Sequence, residues 1–253
     1  MSETISTPQS EKSNLFKRIL ALLTHPRQFF ALDPGGWRLP MLFLSLTLSL
    51  QTAVAGFLRA RAAAMGDVQL PPDWQWWTPE MQNNYMQAQQ ATQGPVFVYI
   101  IPLVGALTSL WLGWMLVSGL MHLASTLLGG RGSMGTAMSV IAWASLPFAV
   151  RDILRVIFML AVGRAIASPG LSGFVSGSEA GILFVGQLLG LMDLFFVWYA
   201  ILTVIGFSVK DNLASGKAAL GVVGVLLLIL LAQAGLGMLG QNMSGMLISR
   251  PFF

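Results

Sequence analysis

Ionisable side chains are scarce in this chain, and four of them fall inside apolar stretches: Arg151, Asp152 and Arg155 in one, Asp193 in the next. Charged groups at that depth in a bilayer cost several kcal/mol unless paired, so by default they mark a functional hypothesis. Arg151 and Arg155 are four residues apart and share a helix face. Asp152 can reach Arg155 along that helix, and Asp193 is placed to neutralise the remaining cation across an interface. Such a group could take an anionic lipid headgroup, relay protons, or dock a partner's transmembrane helix. It could equally be an ion-paired latch that fixes helix register. Two Arg against two Asp leave no spare charge, which favours the latch; a water-filled cavity beside the charges would favour a site.

Other chemistry is thin. With no cysteine, thiolate catalysis, disulfides and iron-sulfur clusters are excluded. His122 and His25 are the only histidines and stand far apart, so no metal site is expected. The run Gly129-Gly130-Arg131-Gly132-Ser133-Met134-Gly135 invites comparison with phosphate-cradling loops. It lacks the closing Gly-Lys-Ser/Thr and follows an apolar helix rather than a strand, so a tight turn is expected. No paired catalytic carboxylates, His-x-x-x-His or Ser-His arrangement is visible, so an enzyme is not expected and no catalytic residue or cofactor is assigned.

The elements that must position the charges follow from hydropathy. Hydrophobic residues make up 55% of the 253 and charged ones 9%, against about 25% in soluble domains. With a mean hydropathy of +0.71 and several apolar runs of membrane-crossing length, the sequence predicts an all-α integral membrane protein. Residues 1–12 read as a flexible cytoplasmic tail. Residues 13–38 form an amphipathic approach segment, with Leu15, Phe16, Ile19, Leu20, Leu22 and Leu23 at helical spacing opposite Lys12, Lys17 and Arg18. That helix is too short to span and should lie at the interface, with Phe29 and Phe30 as anchors at headgroup level. The first apolar run starts only near Pro40, unlike a cleaved signal peptide. Residues 39–240 then form a five-span bundle, at about 39–60, 96–128, 136–163, 181–208 and 217–240. The second span needs tilt, protrusion or a kink at Pro102.

Between the first two spans lies the one sizeable loop, 61–94, with Trp74, Trp76 and Trp77 as an aromatic belt or a partner surface; residues 241–253 form a short tail. Eight basic residues (Lys12, Lys17, Arg18, Arg27, Arg38, Arg131, Lys210, Lys217) fall on one side and four (Arg59, Arg61, Arg164, Arg250) on the other. The positive-inside rule makes the first side cytoplasmic, with the amino terminus there and the carboxyl terminus opposite. Arg59 and Arg61 then need to snorkel or to meet Asp67 and Asp73. Gly186 and Gly190 form a G-x-x-x-G, and Gly235, Gly237 and Gly240 cluster later; both suit close packing within the bundle, with homo-oligomerisation second. Gln51, Gln187 and Gln233 suit hydrogen bonds between helices. The surplus of four positive charges fits anionic lipid rather than nucleic acid, because no long basic stripe is present.

Several segments in order resemble the Yip (Ypt-interacting protein) domain family of five-span membrane proteins. They are Leu23-Thr24-His25-Pro26-Arg27-Gln28-Phe29-Phe30; Leu128 to Ser133 followed by Trp143-Ala144-Ser145-Leu146-Pro147; and Phe195-Phe196-Val197-Trp198-Tyr199 with Ile205-Gly206-Phe207 and Ser215-Gly216-Lys217-Ala218. The likeness covers about residues 15 to 240. It implies a cytoplasmic amino terminus and a non-enzymatic role. Eukaryotic relatives are associated with Golgi vesicle traffic and Rab-type GTPases; the short tail here is closer to bacterial members, some of which accompany ABC exporters, and points to a bacterial cytoplasmic membrane. The leading expectation is a scaffold or accessory subunit for another membrane protein. The second is a small transporter or lipid-handling protein that uses the Arg/Asp cluster.

Overall fold

The structure is a computed structural model that describes residues 15–65, 70–71, 73–166, 170–171, 174 and 180–249, with the main chain alone at 15–16, 89, 92, 180–181, 183 and 238–249. The expected tail at 1–12, Asp67 and Arg250 lie outside the described residues. Every regular element described is helical: α1 (Leu15–Thr24), α2 (Pro26–Ala31), α3 (Arg38–Ala64), α4 (Pro79–Thr92), α5 (Ile101–Leu127), α6 (Met134–Ala144), α7 (Leu146–Val162), α8 (Ala180–Leu191), α9 (Leu194–Lys210) and α10 (Ser215–Ser249).

Three helices are long and apolar enough to cross a membrane, Arg38–Ala64, Val96–Leu127 and Ser215–Gly237, and a fourth crossing results if the pair Phe184–Leu191 and Leu194–Lys210, bent by 62°, acts as one span. Their outward faces carry large exposed apolar side chains, among them Leu42, Leu46 and Leu50 on α3 and Leu227, Leu228 and Leu231 on α10. Surfaces of that kind and extent belong against hydrocarbon. The core instead gathers around α6, where Val140, Ile141, Ala142, Trp143 and Ala144 are all buried.

Two expected spans are interrupted. The third breaks at Ser145 into α6 and α7, of 11 and 17 residues. Pro147 has no N–H to return to the carbonyl four residues back, so the ladder is cut there. Local bonds close the gap: Ser145 N–H and Oγ both donate to the Ile141 carbonyl, at 3.0 and 2.7 Å, and Phe148 N–H donates to the Ser145 carbonyl at 2.9 Å. The fourth breaks at Met192–Asp193, because Asp193 takes extended backbone (φ −147°, ψ 178°) and caps α9, its Oδ1 accepting from Phe196 N–H at 2.8 Å. A short polar side chain that satisfies a free N–H starts a new helix even in apolar sequence.

Three further differences concern the connections. The 61–94 loop is largely helical: α3 runs on to Ala64, and α4 begins where Thr78 accepts from Met81 N–H with Pro79 in the first turn. Pro102 sits in the first turn of α5, directly behind a π-helical turn at Val96–Ile100 in which Ile101 N–H donates to the Val96 carbonyl. The last helix continues to Ser249, through most of the stretch expected as a tail. Among the described residues Arg59 and Arg61 make no ion pair with Asp73.

Phe29 and Phe30 correct the expectation of headgroup anchors. Both are buried, Phe30 completely. Phe29 meets Trp143 edge to face at 5.0 Å, and Phe30 lies on Gly206, where an added Cβ would stand 2.5 Å from Val140 Cγ1 and 3.3 Å from the Phe30 ring. Gly206 is what admits this close approach. Trp143 is held from three sides: by Phe29, by the Arg18 guanidinium 4.5 Å above its ring, and through its N–H to the Gly35 carbonyl at 3.3 Å. The segment before α3 is thus docked on α6 and α9. Paired aromatics beside basic residues look alike in sequence whether they face headgroups or a core.

Candidate functional site

The break at Ser145 and the break at Asp193 bring the four charges together. Arg151 lies on α7 one turn beyond Pro147; its Nη1 is 3.3 Å from Asp193 Oδ2, and Arg155 Nη2 is 3.6 Å from the same oxygen. One carboxylate therefore meets both guanidiniums and also caps α9. Asp152 pairs with its neighbour Arg151, Nε to Oδ1 at 3.5 Å, rather than with Arg155 as the helical spacing suggested. The Arg151 guanidinium also stands 4.7 Å above the Phe148 ring, a cation-π contact that supplies part of its lost hydration.

Beside this cluster the helices do not close. A cavity of about 420 Å³ lies between α3, α5, α6, α7, α9, α10 and the end of α8, with Met41, Leu44, Leu110, Val117 and Leu226 among its apolar walls and Arg151 and Asp152 in its polar one. Asp152 is 3% exposed. Its Oδ1 and Arg151 Nε, although in ion-pair range, make no directional hydrogen bond among the described residues. A space of small-molecule size with apolar walls and two charged residues among its lining has the make-up of a binding pocket. Gly113 lines the same space, and a Cβ there would meet nothing within 4 Å. Trp114, also in the wall, is fixed by its N–H to the Met138 carbonyl at 3.1 Å and by Trp37 at 4.9 Å. Sequence reasoning found the charges but not the cavity, which arises from how seven helices fail to meet and has no one-dimensional signal.

A second polar cluster was missed. Asp211, just past α9, is 2% exposed, and Ser125 Oγ donates to its Oδ2. The Gly129–Gly132 turn wraps this carboxylate so closely that a Cβ on Gly130 or Gly132 would collide with Ser125 or Asp211. Arg131 N–H donates to the Asp211 carbonyl at 3.3 Å, and Lys217 Nζ donates to the Leu128 carbonyl at 3.3 Å. The turn is therefore the tight one expected, and its glycines serve close approach to a buried acid. The signal in the sequence was the pair of turns, Gly-Gly-Arg-Gly and Lys-Asp-Asn, each marked for close approach.

Burial pushes the Asp211 carboxyl above the usual carboxylate range, against the Ser125 hydrogen bond and the charge of His122, which pull it down. A group whose folded pKa lies above its unfolded value holds its proton longer in the folded state, so it contributes most below the unfolded pKa and loses that contribution as pH rises through the folded one. Thermal stability is expected to fall across the window just above the ordinary carboxylate range. Asp211→Asn, which keeps a hydrogen-bond acceptor for Ser125, should remove that slope. Melting curves of the two proteins against pH check this; an unchanged slope would assign it to another group.

The remaining expected positions are scattered. Trp74 and Trp77 pack on Tyr85, each 5.5 Å away, whereas Trp76 is 88% exposed. Gln82 Nε2 ties the group together by donating to the Trp74 carbonyl at 3.1 Å. Gly186 has open space rather than a packed neighbour, and Gly237 instead admits Gln187, whose Oε1 would lie 3.0 Å from an added Cβ. His122 Nδ1 is buried without a hydrogen-bond partner, and no group of three potential metal-ligating side chains occurs among the described residues.

Neither a curated protein nor a solved structure matches the chain. The Yip1 domain family model does, across residues 20–236, a range that takes in the docked segment with Phe29 and Phe30, the Ser145 and Asp193 breaks, both polar clusters and the cavity. With most of its length matched in this way, and with helices of membrane-crossing length and apolarity, the chain is a membrane protein of the Yip1 domain family.

Proposed function

We propose that this protein crosses the bilayer five times and acts without catalysis as a lipid-handling protein, holding an amphipathic membrane molecule in its central cavity. The observation that carries the reading is the cavity itself, apolar over most of its wall and charged at Arg151 and Asp152. A latch alone would leave no space beside its charges. The pairs α6–α7 and α8–α9 serve as the third and fourth crossings beside the three long helices, and broken helices suit a membrane interior where they line a cavity. Lys210 meets Asp33 at 3.1 Å and Lys217 donates to the Leu128 carbonyl, so two of the basic residues assigned to one side lie against the turns that precede α3 and follow α5. That supports a cytoplasmic amino terminus, with α1 at the interface, and the likeness to bacterial members suggests their cytoplasmic membrane. A second reading, the accessory subunit, is favoured by Trp76, whose exposed indole on an otherwise packed loop suits a partner's pocket.

Affinity purification of the tagged full chain in mild detergent, with both lipids and proteins identified by mass spectrometry, tests the two readings together. The wild type is expected to retain one lipid species in fixed proportion, and Gly113→Leu, which fills open cavity space, to lose it by about tenfold or more, a change of about 1.4 kcal/mol or more. Equal lipid content in the two proteins contradicts the lipid-handling reading. A stoichiometric protein partner that Trp76→Ala no longer retains would establish the accessory reading.

A further inference from the structure

Resting on the lipid-handling reading of the cavity, we propose that Ser109 and Gln233 form the polar lip of a side entrance between α5 and α10. A lipid of the bilayer leaflet away from the 128–133 turn rests its ester region on this lip and runs its chain inward, towards that turn. The cavity is not sealed, and of the residues that line it Ser109 and Gln233 alone are exposed. Leu112 and Leu116 on α5 and Leu231 and Leu236 on α10 are exposed beside them, so the lip opens into hydrocarbon rather than water. Among the described residues the Gln233 amide makes no hydrogen bond, and an amide left so in hydrocarbon is costly. The Gln233 amide and the Ser109 hydroxyl both donate, and the carbonyl oxygens of an acyl ester accept.

The direction of the chain follows from where the polar lining stands along the bundle. Ser125 Oγ donates to the Asp211 carboxylate, Arg131 N–H to the Asp211 carbonyl and Lys217 Nζ to the Leu128 carbonyl, so α5 and α9 end, and α6 and α10 begin, at one level. Counted from that level, Ser109 lies 18 residues before Leu127 and Gln233 lies 18 after Ser215, while Asp193 lies 17 before Lys210 and Arg151 lies 17 after Met134. At about 1.5 Å per residue all four stand about 25–27 Å away, in the far half of a hydrocarbon core about 30 Å thick. Val117, Ile141 and Leu226 line the cavity only 7 to 11 residues from the same level. Of the polar side chains at that depth, Ser145 Oγ is already committed to the Ile141 carbonyl and Tyr199 is buried. The polar end of the cavity therefore faces the leaflet away from the turns, the outer one in the orientation proposed above, and the apolar end faces the turns.

Photo-crosslinking of the full chain in vesicles of phosphatidylethanolamine and phosphatidylglycerol tests this, with a minor fraction of the phosphatidylethanolamine carrying a diazirine either at the chain end or beside the ester. Ile141 and Leu226 are the positions to read, because both are buried and bulk lipid does not reach them. The chain-end probe is expected to label them at least about tenfold more than the ester-side probe. Gln233→Leu, which keeps the bulk and loses the hydrogen bonds, should lower that labelling about threefold to tenfold, and Leu231→Ala on the outward face should leave it unchanged. Stronger or equal labelling by the ester-side probe overturns the direction of the chain, and wild-type labelling in Gln233→Leu overturns the lip, while in both cases the cavity stays a lipid site. Should neither probe label Ile141 or Leu226, or should Gly113→Leu leave their labelling intact, the lipid-handling reading itself fails and this proposal with it. The wild-type pair of probes decides the direction alone, so that part of the test does not depend on any variant folding.

Discussion

Asp193→Ala is expected to lower unfolding stability by about 3–5 kcal/mol, measured by reversible denaturation in lipid bicelles or detergent micelles. The size of the effect comes from what is left behind. Asp193 is the shared counter-ion of Arg151 and Arg155, at 3.3 and 3.6 Å, and its loss leaves two guanidiniums with only Asp152. It also removes the cap on α9, worth about 1 kcal/mol, because Phe196 N–H then has no side-chain acceptor. Asp193→Asn separates the two contributions, since asparagine caps as well as aspartate but carries no charge. The asparagine variant should recover about 1 kcal/mol of the alanine loss and no more. Full stability in Asp193→Asn would mean that the ion pairs contribute nothing and that the cap alone holds the break.

Phe30→Ala is expected to cost about 3 kcal/mol and to release the segment ahead of α3. Phe30 is completely buried and fills the space that Gly206 leaves open between α2 and α9. Phe29, Trp143 and Arg18 depend on the same docking, so the loss should be felt along residues 15–37 rather than at one side chain. Limited proteolysis reads it directly: cleavage after Lys17 or Arg27 should accelerate while the helices from α3 onward stay protected. Leu32→Ala serves as the control, because Leu32 is 83% exposed and its removal should change stability by about 0.5 kcal/mol or less. Equal protease sensitivity in the two variants would mean that the segment is not held through Phe30.

Much of this arrangement is written locally in the sequence. Apolar runs place the helices because each long helix must satisfy its own backbone within hydrocarbon. Pro147 and Asp193 mark the two breaks through local rules, a missing N–H and a side-chain cap, yet long apolar stretches around them read as continuous spans. That Asp193 would meet an arginine across the interface was legible, since charges at such depth must find one another, but not that it would meet both. Which arginine Asp152 meets was not, because adjacent residues on a helix can still touch when both side chains turn towards the same gap. Phe29, Phe30 and Trp76 show the harder limit: aromatic residues carry the same pattern whether they fill a core or face outward, and only the surrounding packing decides. The cavity and the Asp211 cluster are tertiary throughout, each made by residues more than 80 positions apart.

The charges and the cavity are parts of one design. Asp193 fixes the angle between α8 and α9, the pairs with Arg151 and Arg155 fix α7 against that break, and the polar wall of the cavity follows from both. Latch and site are then the same residues at two levels, with Asp193 holding the geometry and Arg151 and Asp152 presenting it.

The most direct measurement is an experimental structure of the full chain in lipid nanodiscs, at a resolution that shows ordered lipid inside the bundle. The account expects one elongated density between α3, α5 and α10, with one end beside Arg151 and Asp152. A cavity that has closed on its own side chains, or density that lies away from these two residues, would contradict it.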